Sequence, residues 1–207
     1  MNDADPYVYP GTDILRNKFN IRDADQLRTA EANVTGPKLA ALANRRLAGK
    51  YDLRHLQRCH REIFSDIYPW AGEIRTIYIA KSQLFAAPQH IRPYLNKQLA
   101  RLADEKHLRG LDQPQFVERL THYFGEVNAV HPFREGNGRT QRAFFDQLAG
   151  DAGYDIAWDR LDPDRNIEAS IASMNGDNSK LRDLLSELVE IDRTRQGPHQ
   201  DDDPWNR

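Results

Sequence analysis

Apolar residues along this chain recur mostly at alternating steps of three and four, the spacing of one face of an α-helix. After Asp52, a residue type that caps helix N-termini, Leu53, Leu56, Ile63 and Ile67 trace such a face, with His60 among them. Pro88 suits a first helical position and is followed by Ile91, Leu95, Leu99 and Leu102. The strongest pattern begins at Asp112 and Pro114. Phe116, Leu120, Tyr123, Val127 and Val130 form one stripe there, and Val117 and Phe124 widen it, so a central helix packed on more than one side is predicted. Ile167, Ile171 and Met174 predict a further helix, and Leu181, Leu185 and Leu188 another. An earlier one is predicted over roughly residues 23–47, and Gly36-Pro37 should kink or split it.

One segment breaks the helical rhythm. EIRTIYIAKSQLFAA, residues 73–87, is rich in β-branched and aromatic residues around a polar centre and predicts a small β-hairpin. A lone hairpin is marginal in water, so it must lean on the helices, and its edge could pair with an extended peptide. The stretch 193–207 is charged, carries Gly and Pro, and has almost nothing apolar to bury, which predicts a disordered tail. The whole reads as one mainly α domain over residues 6–192.

With 207 residues and a net charge of -2, the chain can bury a substantial core and carries no global basic field that would draw it to nucleic acid. A single cysteine, Cys59, excludes an internal disulfide and fits a reducing compartment. The polar, acidic start MNDADPYVYPGTD is not of signal-peptide type, and no window reaches the ~18 apolar residues of a membrane span. A cytoplasmic protein is expected, with delivery into a host cell as the alternative. His55, Cys59 and His60 crowd one predicted helix, but structural zinc needs four ligands and no second cluster has metal spacing, so packing is expected. Trp70 is likewise read as core, and Arg45-Arg46 with Lys50 as a solvated face.

The chemistry concentrates in HPFREGNGRTQR, residues 131–142. Pro132 disfavours helical geometry at His131, so the strong helix should end there and leave the imidazole at a loop mouth, with Phe133 anchoring the loop. Gly136-Asn137-Gly138 permit positive φ, so successive N–H groups can converge on one point. A new helix should start near Arg139, with Phe144, Phe145 and Leu148 facing inward. Helix N-termini favour anions, yet Arg139 and Arg142 sit on the same side of this first turn and add positive charge. That inversion calls for a polyanionic ligand, phosphates above all. Glu135 is the single carboxylate that Mg²⁺ needs beside phosphate oxygens, and His131 can take a proton from an attacking hydroxyl. The residues alone argue for metal-assisted transfer from a nucleotide with a histidine base.

The same twelve residues resemble, without departure at the defining positions, the HPFx(D/E)GNGRxxR motif of Fic-domain proteins. The likeness extends over roughly residues 6–190, through YPGTDILRNKFNI and IFSDIYPWAGEIRT. It implies a mainly α Fic fold, a helical bundle with a small β-hairpin flap beside the active-site loop, and AMP transfer from ATP to a hydroxyl of a target protein. His131 would be the catalytic base and Glu135 the Mg²⁺ ligand. Gly136, Asn137 and Gly138 would cradle the phosphates, Asn137 orienting the α-phosphate, while Arg139 meets the β-phosphate and Arg142 the γ-phosphate. Lys81, Ser82, Gln83, Leu84 and Phe85 would form the flap's clamp on the target, and Asn175-Gly176-Asp177 would lie near the adenine.

Many members of that family carry an inhibitory motif, (S/T)xxxE(G/N), whose glutamate blocks the last arginine. Here only Glu135 precedes Gly or Asn, and four residues before it stands His131. The resemblance therefore implies a toxin whose brake is a separate small antitoxin, its helix bringing a glutamate to Arg142. The implied target is the B subunit of DNA gyrase or topoisomerase IV, with a host small GTPase as the alternative for a secreted effector. Neither membrane nor direct nucleic-acid binding is expected. Transfer of a whole phosphate or another nucleotide, and a nucleotide-binding interaction module, are the competing readings.

Overall fold

The computed structural model of the chain describes residues 5–81 and 84–192. The expected tail, 193–207, and the flap residues Ser82 and Gln83 lie outside the described residues. Seven α-helices dominate: α1 (Ala24–Asn44), α2 (Leu53–Phe64), α3 (Pro88–Asp104), α4 (Gln113–Val130), α5 (Asn137–Ala152), α6 (Pro163–Met174) and α7 (Ser179–Leu188). Local chemistry starts several of them as the sequence predicts. Asp52 and Asp112 cap α2 and α4, accepting from the His55 and Gln115 backbone N–H groups, and Pro88 opens α3.

α4 is the central helix. Phe116, Leu120, Tyr123, Val127 and Val130 are all buried, and they share one cluster with Leu95 and Leu99 of α3, Phe144 and Phe145 of α5, and Leu181 and Leu185 of α7. A second cluster joins Leu27 and Leu42 of α1 to Ile63 and Phe64 of α2 and to Tyr68 and Trp70. The core readings of His55, Cys59, His60 and Trp70 hold, since all four are buried. The solvated reading of Arg46 does not, because its guanidinium pairs with Asp151.

The structure refines the local picture in four respects. α1 runs through Pro37 as one helix without splitting there, and Leu27 and Leu42 on either side of the proline pack into the second cluster. Among the described residues the hairpin is short, with an antiparallel bridge between Ala80 and Leu84 and the Phe85 N–H donating to the Ile79 carbonyl at 3.2 Å. The regular sheet lies elsewhere: β1 (Tyr154–Ile156) pairs antiparallel with β2 (Val189–Ile191), strands too short for alternation to be read in the sequence. Finally, the apolar stripe of α6 does not enter the core. Only Ala169 of that helix is fully buried, and Ile167 is 56 % exposed.

Candidate active site

The site forms where α4 stops and α5 starts. His131 is the C-cap of α4 in left-handed geometry, with φ 49, a strained conformation for a residue other than glycine. Arg75 holds it there. This fully buried side chain donates from Nε to the His131 carbonyl at 2.8 Å and from Nη2 to the Val130 carbonyl at 3.0 Å. It also donates to the Ile77 and Ala86 carbonyls, both at 2.6 Å, in the two legs of the flap. The last carbonyls of a helix carry partial negative charge and lack intrahelical partners, so a buried guanidinium is a fitting cap. One cation thus fixes the end of α4 and the base of the flap together. The sequence reading assigned Arg75 no role, because it lies 56 positions from His131 in a segment without helical rhythm.

The His131 imidazole is buried, with Nδ1 3.3 Å from the Asn128 carbonyl. A carbonyl can only accept, so Nδ1 carries the proton and Nε2 keeps its lone pair. Burial, and then the Lys81 charge, push its pKa down to about 4, so the ring is neutral at pH 7. The Phe85 ring stacks on it at 3.9 Å and 12°. Phe133 is buried against His60, as an anchor for the loop should be.

His60 ties down the next residues. The Gly72 N–H donates to its Nδ1 at 2.7 Å, so Nε2 bears the proton and donates to the Glu135 carbonyl at 3.0 Å. Burial pushes this histidine down to about 4 as well, which keeps it neutral and able to accept from Gly72.

Helix α5 starts at Asn137, two residues before the expected point, with no side-chain cap. Of the three residues expected to permit positive φ, only Gly136 uses it, at φ 78, and a Cβ there would meet the Phe64 ring at 2.3 Å. Asn137 and Gly138 are helical. The Asn137 side chain, expected on the α-phosphate, is committed to the Phe133 peptide, accepting from its N–H at 2.8 Å and donating to its carbonyl at 2.7 Å. It therefore shapes the loop, while the second N–H of its amide makes no hydrogen bond among the described residues; the backbone N–H groups of the first turn are further donors that an anion could use. Gly138 is exposed, and a Cβ there would come no nearer than 3.5 Å to anything but its own helix, its closest contact being Arg142 Nη1.

The two arginines share one groove, and Arg142 alone of the pair also lines the His131 cavity. Arg142 makes no hydrogen bond or ion pair among the described residues and faces the His131 cavity, which is lined also by Lys81, Phe85, Asn128, Gly138 and Gln141. Arg139 lines the neighbouring groove, where Arg142 meets it, and is tied to Glu31 of α1. The His131 cavity, about 320 Å³, has Asn166, Ile167, Ser170, Ile171 and Met174 of α6 as its far wall, in place of Asn175-Gly176-Asp177. That explains the half-exposed stripe of α6: an apolar wall with few polar groups suits a flat aromatic ligand. Among the flap residues, Lys81 and Phe85 reach this cavity, while Leu84 is 64 % exposed. Arg134, unassigned by sequence, pairs with Asp5 at 2.9 Å.

Glu135 lines a smaller adjoining pocket with His131, Gly136 and Gly138, and its side chain is 44 % exposed. Its Oε1 accepts from the Gly136 N–H at 2.8 Å and lies 3.5 Å from Arg139. No group of three or more metal-ligating side chains exists among the described residues. A single accessible carboxylate still fits Mg²⁺, provided that ligand phosphates and water complete the shell. No helix among the described residues is long and apolar enough to cross a membrane.

A profile of the Fic/DOC family matches residues 50–149. The protein adenylyltransferase VbhT of Bartonella schoenbuchensis is 41 % identical over 186 residues, 89 % of this chain but 38 % of that protein. The probable protein adenylyltransferase Fic of Escherichia coli is 38 % identical over 89 % of this chain and 92 % of its own length. Among solved structures, the N-terminal Fic domain of a Bartonella quintana effector with bound ADP superposes with a TM-score of 0.84 at 27 % identity, covering 91 % of this chain and 96 % of that one.

Proposed function

This chain belongs to the Fic/DOC family, and on that footing we infer that it is a protein adenylyltransferase, moving AMP from ATP onto a hydroxyl side chain of a target protein. One observation carries the reading at the level of chemistry. A neutral imidazole with its Nε2 lone pair free shares a cavity with an uncapped helix start and an arginine that has no partner among the described residues. His131 Nε2 takes the proton of the target hydroxyl while the oxygen forms its bond to the α-phosphorus. The bond from that phosphorus to the bridging oxygen breaks, and pyrophosphate departs with its charge met by the α5 N–H groups and Arg142. Glu135 would hold Mg²⁺, which when bound neutralises phosphate charge. The adenine would lie against Ile167, Ile171 and Met174, and Lys81 to Phe85 would clamp the target segment. The ADP-bound structure of the 27 % identical Fic domain supports a nucleotide in this fold.

Regulation by a separate antitoxin is part of the same proposal. It is supported by the missing (S/T)xxxE(G/N) motif and by a groove of about 370 Å³ that ends on Arg139 and Arg142. Leu39, Leu42, Ala43 and Trp158 give that groove the apolar lining an amphipathic helix would seek. The proposed target is the B subunit of DNA gyrase or topoisomerase IV, and the proposed compartment the cytoplasm. Incubating a cell lysate with the chain and ATP labelled at either the α- or γ-phosphorus tests the reaction. Protein should acquire the α-label alone. Acquisition of the γ-label would establish phosphate transfer instead, and no label with either would leave a binding module.

A further inference from the structure

Arg139 is held by a carboxylate 108 positions away in sequence. Its Nη2 donates to Glu31 Oε1 at 2.6 Å and its Nη1 to Thr35 Oγ1 at 3.5 Å, both residues of α1. The guanidinium carbon lies 4.7 Å from the centre of the Phe64 ring. Glu31 is itself braced, since its other oxygen accepts from the hydroxyl of Tyr68, a residue only 1 % exposed. The Glu31 side chain is 15 % exposed. A carboxylate tied through both oxygens and mostly buried cannot follow a wandering arginine, so this socket decides where the guanidinium rests. Arg142, three residues on, has no such socket.

We propose that Glu31, braced by Tyr68, is a positioning residue that presets the Arg139 guanidinium for the phosphate next to the reacting one. The proposal rests on the adenylyltransferase reading above. A guanidinium has five N–H donors in a rigid fork; Glu31 and Thr35 use two and Glu135 Oε1 lies 3.5 Å from Nη2, which still leaves donors for a phosphate. Holding a long side chain in place beforehand removes an ordering cost from ligand binding. The alternative role for a carboxylate here is a brake, competing with phosphate for the same cation. The double anchoring favours the socket, because a brake must let go.

The two roles differ in sign. Isothermal titration of the full chain with ADP and with AMP reads the arginine directly, because the ligands differ by the one phosphate that Arg139 would meet. Glu31→Ala should weaken ADP about tenfold, the effect of one lost charge-assisted hydrogen bond, and change AMP less than about twofold. Glu31→Gln should keep ADP near its wild-type affinity, because the amide oxygen still accepts from Arg139. Tyr68→Phe should fall between the two. ADP affinity unchanged or raised in Glu31→Ala would overturn the proposal, and so would equal weakening of ADP and AMP, which marks general damage to the site. Failure of the parent reading is seen separately, as a wild-type chain that transfers no α-label while still binding ADP.

Discussion

Replacing Arg75 by methionine removes four hydrogen bonds and keeps much of the apolar bulk of the stem. Two of the four acceptors, the Val130 and His131 carbonyls, sit in fully buried bonds, whereas those on the Ile77 and Ala86 carbonyls are partly open to water. Each buried acceptor left unpaired costs about 1–3 kcal/mol, and the flap carbonyls can rehydrate at smaller cost. Against this stands relief from burying a guanidinium that no carboxylate neutralises, worth several kcal/mol in unfavourable cases. The losses should win, because the acceptors are the charged end of α4 and cannot turn toward solvent. A net destabilisation of about 2–4 kcal/mol is expected. In urea, with a slope of about 1–3 kcal/mol per molar, the midpoint should fall by about 1–2 M. Transfer should fall as well, since His131 and the flap lose their common anchor, and Arg75→Lys should recover part of both. A midpoint within about 0.3 M of wild type, with unaltered transfer, would refute the account of Arg75 as the keystone.

His131→Ala should cut α-label transfer by about 10² to 10⁴-fold while leaving ADP binding and the melting temperature nearly unchanged; a rate near wild type would remove His131 from the chemistry. His131 and His60 both sit near pKa 4 in the folded chain against about 6.5 unfolded, so the unfolded state binds more protons between those values. Their contribution to stability is full above pH 6.5 and is lost as pH falls toward 4, at up to about 3 kcal/mol per histidine, and urea titrations at pH 7 and pH 5 should show the drop. Gly136→Ala should destabilise by more than about 1 kcal/mol, because the site needs φ 78 and its Cβ would meet Phe64 at 2.3 Å. Gly138→Ala should leave the melting temperature nearly unchanged, since its nearest contact is 3.5 Å away, yet weaken ADP by crowding the helix start where the phosphates would sit.

Much of the fold was legible because its signals are local. Asp52, Asp112 and Pro88 act within one turn of where they stand, and the stripe of α4 reports a surface that any neighbour must cover. The candidate site was legible for the same reason: His131, Glu135, Gly136 and Arg142 lie within twelve residues, so their spacing constrains their geometry before any packing. The flap was legible only as a tendency. A strand-like composition promised a hairpin, but no helix-like rule sets how far two legs pair; among the described residues a single bridge and Arg75 hold them.

What the sequence alone determined is what lies close along the chain: where α4 ends, where α5 begins within two residues, and which residues are candidates for the base, the carboxylate and the anion site. The tertiary structure decided everything that depends on partners far apart in sequence. It put Arg75 under His131, His60 behind Glu135 and Glu31 against Arg139, and it turned the stripe of α6 into a cavity wall. The physical reason is the same in each case. A buried charge or a lone donor has no period along the chain, and only the folded contacts say which acceptor it meets.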